Sequence, residues 1–94
     1  MNRDAYLKKL KYQLDEWSAD IDRLEAKAKS AGQDVRIKYQ NEIKDIRGKM
    51  NKAREKFEEI QSAGEDKWES LKDEAEEFWS RIKGAVEHAK AAIK

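Results

Sequence analysis

Ninety-four residues with 21 basic and 20 acidic side chains carry a formal net charge of +1, which excludes bulk attraction for nucleic acid or anionic lipid. At 38% hydrophobic and 44% charged, the chain is too polar for a thick globular core and normal for helices paired along thin seams. The absence of cysteine excludes disulfides and thiolate metal sites, and the absence of proline leaves little to interrupt helix.

The opening Met1-Asn2-Arg3-Asp4-Ala5-Tyr6 lacks the apolar run of a signal peptide. No later stretch approaches the roughly 20 apolar residues of a membrane span. A cytoplasmic protein, one helical coiled-coil domain over 1–94, is the expectation. The first helix is announced by Leu7, Leu10, Leu14, Trp17, Ile21, Leu24, Ala28, Ala31 and Val35, at alternating intervals of three and four. That spacing, a mean of about 3.5 residues, is the seam of helices packed side by side. Tyr6, Tyr12 and Tyr39 suit rim packing beside it.

Ser30-Ala31-Gly32 ends the first segment and Ser62-Ala63-Gly64 the second, each followed by an aspartate, Asp34 or Asp66. Both read as helix stop and helix start, with glycine in a left-handed cap and the aspartate accepting from the free amides of the next helix. Asp66 with Glu69 makes the better start, a pair resembling a capping box. Between the joins the seam continues through Ile43, Ile46, Met50, Ala53, Phe57 and Ile60. After the second join it runs through Trp68, Leu71, Ala75, Phe78, Ile82, Ala85, Ala89 and Ala92, flanked by a column of Trp79, Val86 and Ile93. A face that wide suits a helix touching two others.

The fold class is therefore all-α, an antiparallel three-helix bundle or coiled coil with helices at about 3–31, 34–62 and 66–93, a rod roughly 45 Å long. The alternative is a continuous helix over about 3–62 with a C-terminal helix folding back, an arrangement that must oligomerise. Charge favours the bundle. The chain is zoned acidic over 15–25, basic over 44–56, acidic over 65–80 and basic again through Arg81, Lys83, Lys90 and Lys94. Reversals at Gly32 and Gly64 set opposite signs beside each other at all three interfaces, with facing pairs summing to about 65 and about 128.

No catalytic, cofactor-binding or metal constellation emerges. His88 has Ala85, not glutamate, three residues before it, so the Glu-x-x-His arrangement of di-iron bundles is missing, and the residue reads as a solvated side chain near a helix end. The glycines at 32, 48, 64 and 84 match no phosphate-binding loop, and Gly48 and Gly84 fall away from the seam. No small-molecule substrate or enzyme activity is indicated.

The stretches Tyr6-Leu7-Lys8-Lys9-Leu10-Lys11-Tyr12-Gln13-Leu14-Asp15-Glu16-Trp17 and Ile21-Asp22-Arg23-Leu24-Glu25-Ala26-Lys27-Ala28, with Tyr39 and Trp68-Glu69-x-Leu71-Lys72, resemble small uncharacterised bacterial coiled-coil proteins. That resemblance covers most of the chain and implies a helical fold without implying an activity. The three-helix layout also resembles a spectrin-type repeat by fold analogy. The expected function is a non-enzymatic structural or interaction module working by helix-helix association with itself or a partner protein. Its seam comprises Leu7, Leu10, Leu14, Trp17, Ile21, Leu24, Ile46, Met50, Phe57, Ile60, Trp68, Leu71, Phe78 and Ile82. A second reading lays the amphipathic helix 66–94 on a membrane surface through Trp68, Phe78, Trp79, Ile82, Val86 and Ile93. A third, weak nucleic-acid binding through basic residues 36–56, is disfavoured because acidic neighbours neutralise that stretch.

Overall fold

A computed structural model describes residues 2–92. Three helices follow in order, α1 (Arg3–Ser30), α2 (Gln33–Ser62) and α3 (Glu65–Ala92). Asn2 opens α1, its side chain accepting from the Ala5 amide at 2.8 Å. The bundle measures 50 × 18 × 18 Å, the rod that helices of this length must form. α2 runs antiparallel to both neighbours, and α1 and α3 run parallel, Tyr6 lying beside Trp68 and Lys72 while Asp20 lies beside Lys90. Ile93 lies outside the described residues.

The two Ser-Ala-Gly joins reverse the chain by different means. At the first, the Ala31 amide donates to the Lys27 carbonyl and Gly32 adopts φ 118°, a region that L side chains rarely occupy. This glycine breaks the continuous helix 3–62 envisaged as the alternative. Folding back there lets α1 bury its stripe against α2, which outweighs the small cost of ending a helix. At the second join Ala63 is extended, with φ −75° and ψ 145°, and Gly64 does not use the left-handed region. The Gly64 carbonyl instead accepts from the Lys67 and Trp68 amides and starts α3.

The expected aspartate caps are displaced by this geometry. Gly32 occupies the cap position of α2 without a side-chain hydrogen bond, and Asp34 sits inside the first turn. Asp66 likewise lies within α3, whose first residue is Glu65. Both carboxylates keep a favourable position near a helix N-terminus without serving as caps.

The core is a single stripe along the rod. α1 contributes Tyr6, Leu7, Leu10, Leu14, Trp17, Ile21, Leu24 and Ala28, and α2 contributes Ile43, Ile46, Met50, Ala53 and Ile60. α3 adds Trp68, Ala75, Trp79, Ile82, Val86 and Ala89. Three features depart from the sequence pattern. Tyr6 is buried and Tyr12 71% exposed, so neither packs at the rim. Ala31 is exposed and Val35 half-buried, because the chain reverses where their stripe would have needed a partner, whereas Tyr39 is half-buried at the rim as expected. The centre line of α3 runs through Trp79 and Val86 while Phe78 and Ala85 are half-buried, since a helix wedged between two others buries the column that bisects them.

Candidate interaction surfaces

Of the seam residues named from spacing, Leu7, Leu10, Leu14, Trp17, Ile21, Leu24, Ile46, Met50, Ile60, Trp68 and Ile82 are buried together. Phe57, Leu71 and Phe78 are half-buried against that core. Spacing alone missed Tyr6. Its ring lies 5.8 Å from that of Trp68, its hydroxyl donates to the Lys72 carbonyl at 3.3 Å, and the Lys72 ammonium stands 5.7 Å above its ring. Burial, then the charges of Glu76 and Asp73, push the Tyr6 hydroxyl up to about 12.

Ion pairs join all three helix interfaces. Between α1 and α2, Arg47 donates to Asp22 at 2.9 Å and to Glu25 at 2.5 Å, about one to two turns from the register expected of a reversal centred on Gly32. The hydrogen bonds to Asp22 and Glu25 raise the Arg47 guanidinium, and the bond from Arg47 holds Glu25 below its ordinary value. Between α2 and α3, Lys56 meets Glu74 at 2.6 Å, which raises the ammonium, and the exposed His88 lies 3.8 Å from Glu42. Between α1 and α3, Lys90 reaches Asp20 at 3.1 Å. Arg3 also ties the start of α1 to the second join by donating to the Ala63 carbonyl.

Asp20 stands apart as a buried carboxylate, 6% exposed, held by both Arg23 and Lys90. Burial pushes its carboxyl up, but the hydrogen bonds from Arg23 and Lys90 outweigh that and hold it below its ordinary value. Lys29 with Glu25, Lys56 with Glu59 and Arg81 with Glu77 pair within single helices. Among the described residues no group of histidine, aspartate and glutamate is gathered as a metal would need.

The interface between α1 and α3 is the thinnest of the three. It opens into a groove of about 190 Å³ with Tyr6, Leu10, Trp17 and Trp79 along its floor and Lys9, Gln13, Glu76, Ser80 and Lys83 at its margins. The buried indole N–H of Trp79 finds no acceptor among the described residues. A buried donor without a partner is uncommon in a folded interior. A second cleft, about 260 Å³, opens between α1 and α2 near the first join, lined by Glu25, Lys29, Arg36, Lys44 and Arg47 over Ala28 and Ile43.

The amphipathic face of 66–94, considered for a membrane surface, is turned inward. Trp68, Trp79, Ile82 and Val86 lie in the core, Phe78 is half-buried, and Ile93 is outside the described residues. No helix among the described residues is long and apolar enough to cross a membrane. The basic stretch 36–56 is partly neutralised, Arg47 and Lys56 being engaged by carboxylates of α1 and α3.

Among known protein families, residues 1–61 match the model of the vesicle transport v-SNARE protein N-terminus, a span covering α1 and nearly all of α2. No curated protein and no solved structure matches the chain.

Proposed function

We propose, from the premise that the chain belongs to the family of the vesicle transport v-SNARE protein N-terminus, that it is a non-enzymatic helical module acting by helix-helix association. Its counterpart is a partner protein or a second copy of the chain. The whole of 1–94 works as one unit, with the buried seam keeping the rod stiff enough to present a groove. In a vesicle-transport setting that unit faces the cytoplasm.

The observation that carries this reading is the α1/α3 groove. Its floor is aromatic and aliphatic, its margins carry Lys9, Gln13, Glu76, Ser80 and Lys83, and the helices forming it make the least contact of any pair. With its floor residues 2–8% exposed and a volume of about 190 Å³, the groove has room for a single anchoring side chain of a partner helix within a polar rim.

Site-specific photo-crosslinking tests the reading. A crosslinker at Ser80, on the groove margin, is expected to yield a discrete adduct with a helical protein or with a second copy. One at Lys52, on the exposed side of α2, is not. Equal adducts from both positions, or none from Ser80, overturn it.

A further inference from the structure

The end of the rod at the first join carries a surface of different chemistry from the groove. Ile37, near the start of α2, is 60% exposed. Arg36 and Lys38 flank it in sequence, and Lys44 follows about two turns later on the same face. All three cations are exposed, and among the described residues none of them stands in a salt bridge.

The acids nearby are largely engaged. Glu25 is held by Arg47 and Lys29, and Glu42 faces His88. Asp34 and Asp45 dilute the positive charge without cancelling it. Lys29, Arg36, Lys44 and Arg47 also surround the second cleft, so cations from both arms of the hairpin point to one region. With the whole chain near neutrality, this field is local.

We propose that this end of the rod docks on an anionic lipid surface, Ile37 entering the headgroup layer while Arg36, Lys38 and Lys44 pair with lipid phosphates and carboxylates. An exposed aliphatic side chain flanked by Arg36 and Lys38, with Lys44 two turns on and Asp34 one turn before, suits a bilayer interface, where burial of the chain and attraction to anionic headgroups add. It suits a nucleic-acid strand poorly, because isoleucine offers bases no stacking surface and the nearby Tyr39 is half-buried. Few charges and one apolar anchor make the docking reversible and sensitive to salt. The surface lies apart from the α1/α3 groove, so it supplements helix-helix association without depending on it.

The test is flotation of the full chain with vesicles of phosphatidylcholine, with and without phosphatidylserine, at low and moderate salt. Recovery is expected with phosphatidylserine vesicles alone and falls as salt rises. The double change Arg36→Glu with Lys44→Glu lowers it by about tenfold. Ile37→Ser lowers it several-fold, whereas Lys11→Glu, exposed on α1, leaves it unchanged. These positions are exposed, so unchanged circular dichroism establishes that the variants remain folded. No recovery, equal recovery with phosphatidylcholine alone, equal loss in Lys11→Glu, or stronger binding to a single-stranded oligonucleotide than to vesicles overturns the proposal. Flotation contains no partner protein, so failure there is distinct from failure of the crosslink at Ser80.

Discussion

Lys90 on α3 and Asp20 on α1 meet at 3.1 Å, joining two helices that are never consecutive in the chain. Arg23 adds a second bond to the same carboxylate at 2.5 Å. Because Asp20 is held below its ordinary value of 3.8, its stabilising effect is complete above that pH and is lost as pH falls through the lower, folded value. Urea midpoints followed from neutral pH to about pH 2 should therefore fall on the acid side, and Asp20→Asn should flatten that limb. Lys90→Met, removing a half-exposed partner, should cost about 1 kcal/mol at most at neutral pH.

Tyr6 produces the opposite limb. Its hydroxyl stays protonated up to about 12 in the folded chain, against an ordinary value of 10.0. An acid whose folded value is raised favours the folded state below the ordinary value, and that advantage disappears as pH rises from 10.0 through about 12. Absorbance titration of tyrosinate should show a late component that Tyr6→Phe removes. The same variant should lose less stability than the wild type on the alkaline side.

Adjacent aromatic residues on α3 should respond unequally to truncation. Trp79 is buried and Phe78 half-buried. Trp79→Ala should cost about 3–5 kcal/mol, as should Trp17→Ala, while Phe78→Ala should cost about 1–2 kcal/mol. Chemical denaturation of the purified variants measures the order. A larger loss at Phe78 than at Trp79 would place the centre line of α3 one residue earlier.

The glycines divide by backbone conformation. Gly48 and Gly84 lie inside helices with open space where a Cβ would stand. Gly48→Ala and Gly84→Ala should each raise stability by about 0.5–1 kcal/mol. Gly32→Ala should lower it by about 1 kcal/mol or more, because φ 118° strains any residue with a side chain. Thermal melts compared with the wild type decide the sign at each position.

The three-helix layout could be read from the sequence because the apolar residues repeat at three and four, prolines are missing, and each Ser-Ala-Gly followed by an aspartate reads as a helix stop and start. Charge zoning chose between folding back and running on, and the Gly32 turn agrees with that choice. The groove was harder to see. Tyr6 precedes the first member of the leucine stripe, so a periodic count begins after it. On α3, Phe78 and Trp79 offer two equally apolar columns, between which spacing cannot select.

What the amino-acid sequence determined by itself is local: helix length, the sites of reversal, and the sign of charge along each helix, all set by residues within a few positions of one another. Which apolar column is buried, which carboxylate is enclosed, and where a groove stays open were decided by the tertiary structure. Those outcomes depend on the rotation of each helix about its own axis when two neighbours press on it. The bond of Lys90 to Asp20 and the burial of Trp79 are consequences of that rotation.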